Sequence, residues 1–182
     1  MKEIEQTILP AAKKIKDFED LLNSDTKYII LLETRLGLLR KLVRVAHKAD
    51  KKVLIHIDLI QGLKADEYGM EYIGQEVKPD GVISTRSHVI KQAKKYNLIS
   101  VQRLFLIDSQ AIEHNVSIIK RTKPDYVEVL PGILPGMIKE IKDQVGVPVI
   151  AGGLVRERDQ VEQAIESGAS AVTTSRTDLW QF

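Results

Sequence analysis

Near the C-terminal end the chain reads Val147-Pro148-Val149-Ile150-Ala151-Gly152-Gly153-Leu154-Val155 and, after a helical segment, Gly168-Ala169-Ser170-Ala171-Val172-Thr173-Thr174-Ser175-Arg176. Each stretch is a short apolar run that passes straight into small or polar residues. Gly152 and Gly153 have no Cβ, so the backbone can turn tightly and approach a ligand. Thr174 and Ser175 add hydroxyls beside backbone N–H groups. Such groups at a loop or a helix start make an electropositive cradle for an anion. Two loops of this kind after successive strands match the phosphate site that follows strands 7 and 8 of a (β/α)8 barrel. Gly152, Gly153, Thr174, Ser175 and Arg176 are therefore the candidate phosphate ligands. The competing reading is a pair of tight turns.

The same alternation runs back through the chain. Strand-length apolar runs occupy 7–10, 28–32, 53–59, 81–85, 101–107, 126–130, 147–151 and 171–174. Several are apolar on both faces, as in parallel strands covered by helices. Helical patterns fill 11–23, 36–49, 66–77, 87–96, 109–121, 134–144 and 157–167. Strict alternation predicts an α/β fold: a single small (β/α)8 barrel spanning 1–182, with the eighth helix truncated because only Thr177 to Phe182 follow the last strand. That trimming accounts for part of the short length, since such barrels typically need about 250 residues. Trp180 and Phe182 are expected to fold back over the gap. A doubly wound open sheet is the rival architecture, and the phosphate-type loops favour the barrel.

Composition narrows the function. The formal net charge is +2 and there are no cysteines, which excludes disulfides, thiolate metal sites and a cysteine nucleophile. The first residues, Met1 to Gln6, lack the apolar core of a signal peptide. No run approaches the roughly 18 apolar residues of a membrane span. A soluble, cytoplasmic protein without a membrane partner is expected.

Polar residues at strand ends face the ligand in this architecture. His56 and Asp58 share a strand face by the period of two, and Glu128 stands inside the apolar run Val127-Glu128-Val129. A carboxylate there is expensive unless paired or hydrogen-bonded. These three either bind ligand hydroxyls or pair with Arg35, Arg86 or Arg103 to order the barrel mouth. A metal site would need His56, Asp58, Glu33 and Glu128 to converge, which spacing cannot establish, so no metal is assigned. No catalytic set is assigned either: the strand interiors offer no lysine, Lys64 reads as a surface residue, and no Ser-His-Asp array or P-loop is present. Arg40, Arg44 and Lys48 recur at helical spacing with Lys41, His47 and Lys51, and form a basic stripe. The stripe is either a solvated face or a contact for nucleic-acid phosphates.

A series of motifs is more specific than any of these. It comprises Ile8-Leu9-Pro10-Ala11, His56-Ile57-Asp58-Leu59-Ile60-Gln61-Gly62-Leu63, Asp80-Gly81-Val82-Ile83-Ser84-Thr85 and Gln102-Arg103-Leu104-Phe105-Leu106-Ile107-Asp108-Ser109. It continues with Tyr126-Val127-Glu128-Val129-Leu130-Pro131-Gly132, Ala151-Gly152-Gly153-Leu154 and Thr173-Thr174-Ser175. In this order the motifs resemble the glycerol uptake operon antiterminator regulatory protein family across nearly the whole chain. The resemblance implies a small TIM-like barrel that senses glycerol 3-phosphate and uses no cofactor. It implies action on leader mRNA, so that transcription passes a terminator and glycerol genes are expressed. Arg40, Arg44 and Lys48 are then the candidate RNA contacts, and the family is regulatory rather than enzymatic. The alternative is a barrel enzyme acting on a small phosphorylated polyol, with Asp58 or Glu128 as base. Whether the chain forms a homo-oligomer is left open.

Overall fold

The structure, a computed structural model that describes residues 3–181, alternates strands and helices through its length. The barrel strands are β1 (Ile8–Ala12), β2 (Tyr28–Leu31), β3 (Lys52–His56), β4 (Gly81–Ser84), β5 (Ile99–Phe105), β6 (Tyr126–Leu130), β7 (Val149–Gly152) and β8 (Ala171–Thr174). Each pairs in parallel with the next, and β8 closes the ring on β1 with Ile8 opposite Val172 and Pro10 opposite Thr174. Seven helices cover the outside: α1 (Ile15–Leu22), α2 (Leu36–Lys48), α3 (Glu67–Tyr72), α4 (Ser87–Lys95), α5 (Ser109–Thr122), α6 (Pro135–Val145) and α7 (Arg158–Glu166). A single 3-10 turn, Thr177–Leu179, stands where an eighth helix would follow β8.

Alternation along each strand splits the core into an inner and an outer layer. Leu9, Ile30, Leu54, Ile83, Val101, Tyr126 and Ile150 fill the barrel interior. Their neighbours, such as Ile29, Val53 and Val82, pack outward on the helices, where α2 answers with Leu39, Val43 and Ala46. Burying each large aliphatic side chain contributes roughly 1.5–3 kcal/mol. A second outer cluster packs α5, α6 and α7 against β5 to β8. Trp180 touches both outer clusters, and its Nε1 donates to the Thr174 carbonyl at 3.0 Å. It thus closes the seam left by the missing helix, as expected. Phe182 lies outside the described residues.

Local chemistry sets the element ends. Asp108 accepts the Ala111 N–H at 2.7 Å and starts α5. Pro135 opens α6, and Gly146 at φ 68° ends it. Several boundaries differ from the sequence expectation, among them the following three. β1 runs on to Ala12, so Lys13 belongs to a strand-end loop rather than a helix. β3 stops at His56, and a 3-10 turn covers Ile57–Leu59. The helix expected over 66–77 changes to a π turn at Ile73–Val77.

Candidate functional site

The C-terminal ends of the strands surround a cleft of about 360 Å³. Glu128 of β6, 1 % exposed, forms its floor. Its Oε2 lies 2.6 Å from the Arg103 Nε on β5, and its Oε1 accepts from the Thr173 hydroxyl on β8 at 2.7 Å. Both carboxylate oxygens are therefore satisfied, which a buried charge requires. Neighbouring strands supply both partners, because Arg103 is in register with Glu128 across the β5–β6 ladder.

Gly152 belongs to this floor. A Cβ there would lie 2.6 Å from Glu128 Oε1 and 2.4 Å from Thr173 Oγ1. The missing side chain makes room for the carboxylate, so Gly152 faces Glu128 and does not line the cleft. Gly153 does line it, and turns the chain with φ 75°, followed by Leu154 at φ 61°. Thr174 lines the wall, but its hydroxyl is engaged: it donates to the Val155 carbonyl at 3.4 Å and accepts from the Arg176 N–H at 3.1 Å. That pair of bonds ties the β7 and β8 loops together. Ser175 is half-buried beside it. Arg176 lines the cleft while its guanidinium holds Asp178 at 2.9 and 2.8 Å.

Lys13, after β1, and Arg156, after β7, complete the wall. Among the described residues no carboxylate pairs with either cation. The cleft is thus lined by Lys13, Arg103, Arg156 and Arg176 against one carboxylate, Glu128. The sequence reading did not assign Lys13, Arg156 or Thr173, and weighed Arg103 in the mouth as a pairing partner. Continuing the inward alternation of Leu9 and Ala11 by one step would have pointed to residue 13.

His56 and Asp58 do not lie on one strand, since the strand ends at His56. Asp58 lies in the 3-10 turn after β3, where the two-residue period of a strand no longer holds. Its Oδ2 accepts from the Ser84 hydroxyl at 2.9 Å and the Thr85 N–H at 3.1 Å, and Oδ1 lies 3.3 Å from the Arg86 Nε. Asp58 therefore braces the β4–α4 loop, the pairing alternative raised by the sequence. His56 is 3 % exposed, and neither ring nitrogen has a hydrogen-bond partner among the described residues. Burial, followed by the charge of Arg103, lowers its pKa to about 4, so the imidazole is neutral at neutral pH. Neither His56 nor Asp58 lines the cleft, whereas Glu128 does.

Among the described residues no three His, Cys, Asp or Glu side chains converge as a metal set. Among the described residues no helix is long and apolar enough to cross a membrane. The stripe on α2 is exposed but partly neutralised: Arg40 lies 3.4 Å from Glu76, and the adjacent His47 lies 2.9 Å from Asp80. Lys41, Arg44 and Lys48 remain as its exposed cations outside any ion pair among the described residues.

Comparison with known proteins bears on what such a mouth serves. A glycerol uptake operon antiterminator regulatory protein from Listeria monocytogenes is 44 % identical, with 100 % of this chain and 98 % of that one covered at a TM-score of 0.96. A glycerol uptake operon antiterminator-related protein from Thermotoga maritima is 26 % identical over 98 % of this chain and 100 % of that one, with a TM-score of 0.86. The Escherichia coli protein YgcP is 27 % identical over 95 % of this chain and 91 % of its own. Residues 8–180 match the model of the glycerol-3-phosphate responsive antiterminators. With that match running from β1 to the turn after β8, the chain belongs to the glycerol-3-phosphate responsive antiterminator family.

Proposed function

We propose that the mouth cleft binds glycerol 3-phosphate and that the liganded protein acts on a leader mRNA to let transcription continue into glycerol-utilisation genes. The observation that carries the reading is the charge of the cleft. Lys13 and Arg156 stand outside any ion pair among the described residues, beside the Gly153 and Ser175 loops. The phosphate sits between those loops, in reach of Lys13, Arg156 and Arg176. The hydroxyls of the glycerol end point down to the Glu128–Arg103 floor. The family places the chain among regulators, and the reading assigns it no catalytic residue and no cofactor. A role in transcription places it in the cytoplasm. On α2, Arg44 and Lys48 are the better RNA contacts, since Arg40 is shared with Glu76.

Titration calorimetry tests the ligand. Glycerol 3-phosphate should bind and glycerol should not. Lys13→Glu or Arg156→Glu should weaken binding at least about tenfold, because a charge-assisted hydrogen bond is worth roughly 1.5–3 kcal/mol. Unchanged affinity in both folded variants would remove the phosphate from this cleft. Gel shifts of leader RNA with and without glycerol 3-phosphate test the second half. The expected result is ligand-dependent binding that weakens steeply with salt.

A further inference from the structure

Two helices on one flank of the barrel carry an unbalanced charge. Across the whole chain Lys and Arg number 27 against 25 Asp and Glu. Residues 87–95, which are α4, and 117–124, at the end of α5, nevertheless hold Lys91, Lys94, Lys95, Lys120, Arg121 and Lys123 and no acid. All six cations are exposed. A groove of about 110 Å³ between the helices is lined by Ser87, Lys91, Ile118, Arg121 and Thr122, so Lys91 and Arg121 stand on either side of it. Lys94 ties the helices together: its Nζ donates to the Thr122 carbonyl at 2.9 Å and to the Lys123 carbonyl. That lysine already serves the C-terminal carbonyls of α5, so the other five are not needed as caps. None of the five is in an ion pair among the described residues. The acids nearest in sequence are turned to other partners. Asp125 accepts from the Ser100 N–H at 2.9 Å and from its hydroxyl at 2.8 Å, and Glu113 of α5 lines the cleft towards α6 with Glu140.

We propose, building on the action on leader mRNA proposed above, that this groove and the cations around it hold the phosphodiester backbone of the RNA, as a contact separate from the stripe on α2. α3 and the π turn after it pack between α2 and α4 and carry the exposed Glu67, Glu71 and Glu76. An acidic strip thus divides the two basic surfaces. The charge pattern selects the partner. Five unpaired cations spread over two helices exceed what a single phosphate group can engage, so a small anion does not account for them. A lipid surface is met by inserted apolar side chains, and among the described residues none of the exposed large apolar ones lies on either segment. Lys91 and Lys95 stand about one turn apart, roughly 6 Å along the helix axis, close to the step between successive phosphates of a strand. Contacts of this kind fix the register of the backbone and read no base, so the surface needs no aromatic ring.

Fluorescence anisotropy of labelled leader RNA in saturating glycerol 3-phosphate, repeated over a series of salt concentrations, is the direct test. Lys91→Glu/Arg121→Glu should weaken binding at least about tenfold and lower the slope of log Kd against log salt by roughly 1–2, since each phosphate contact accounts for about 0.7–0.9. Its melting temperature and its affinity for glycerol 3-phosphate should stay at the wild-type values, because both side chains are exposed and lie outside the mouth cleft. Lys16→Glu/Lys139→Glu, at exposed lysines of α1 and α6, changes the net charge by the same amount and should weaken binding far less. Lys91→Arg/Arg121→Lys keeps both charges and should bind as wild type does. Equal RNA affinity of wild type and Lys91→Glu/Arg121→Glu overturns the proposal and leaves the function standing. Equal losses in the two glutamate variants overturn it as well, by reducing the effect to net charge. So does a loss with an unchanged salt slope, since no phosphate contact would then have been removed. A wild type that binds no leader RNA in the presence of glycerol 3-phosphate removes the function and this surface together.

Discussion

The ion pair on the floor of the mouth permits a quantitative test. Glu128 is 1 % exposed at its side chain and Arg103 13 %, with Nε and Oε2 2.6 Å apart. Replacing Arg103 by Met leaves the carboxylate buried, with the Thr173 hydroxyl as its only other side-chain partner among the described residues. Breaking a buried pair from one side typically costs about 3–5 kcal/mol. In a chain of this size that lowers the melting temperature by roughly 6–20 °C, at about 2–4 °C per kcal/mol. Glu128→Gln should cost less, about 1–3 kcal/mol. Arg103 keeps some exposure to the open cleft, and the amide oxygen still accepts from Thr173. The double variant Arg103→Met/Glu128→Gln carries no uncompensated charge, so it should be more stable than Arg103→Met alone. Urea unfolding at one m-value, read as a double-mutant cycle, should give a coupling of at least about 2 kcal/mol. If the two single effects add, the pair is not acting as a buried ion pair, and the account of why Glu128 is tolerated in β6 fails.

Two further perturbations follow from the same region. Gly152→Ala should destabilise by about 1–3 kcal/mol through overpacking, since the new Cβ meets Glu128 Oε1 at 2.6 Å; a thermal melt equal to wild type would show that the carboxylate does not need that space. His56 has a folded pKa of about 4 against 6.5 unfolded, so the unfolded chain binds more protons between those values. Its contribution is full above pH 6.5 and is lost as pH falls towards 4, amounting to about 3 kcal/mol. Unfolding free energies of wild type and His56→Gln from denaturant melts, compared from pH 7 to pH 4, should diverge by about that amount. Parallel pH profiles would mean that the imidazole gains access to solvent when protonated.

The barrel was legible because its physics is periodic. Runs such as Tyr28–Leu31 and Val82–Ile83 are apolar on both faces, and only a sheet covered on both sides accommodates them. The boundaries were not legible, because they depend on partners distant in sequence. β1 extends to Ala12 because Ala11 and Ala12 pair with Ile30 and Leu31, which hydropathy around residue 11 does not reveal. That misplaced Lys13 in a helix and hid a cation of the mouth. Asp58 went astray for a related reason. The alternation that reaches His56 is broken by a turn, and the turn is held by Ser84, Thr85 and Arg86.

The site divides by depth, and the division fixes how a phosphorylated polyol would lie in it. The floor has no spare charge, since Arg103 neutralises Glu128, and the space beneath Gly152 is filled by the carboxylate. A dianionic phosphate pushed down there would face Glu128 at close range in a poorly screened interior, where like charges repel strongly. The rim offers the opposite conditions. Lys13 and Arg156 are exposed and stand outside any ion pair among the described residues, and Gly153 leaves the backbone accessible. Neutral hydroxyls suit the floor, where a carboxylate can accept and a guanidinium can donate. Under the proposed function the ligand therefore stands upright, phosphate at the rim and hydroxyls at the floor. Glycerol without phosphate would reach the floor but leave the rim cations unmatched. Inorganic phosphate would do the reverse. An affinity for glycerol 3-phosphate well above that of either fragment is what this geometry requires.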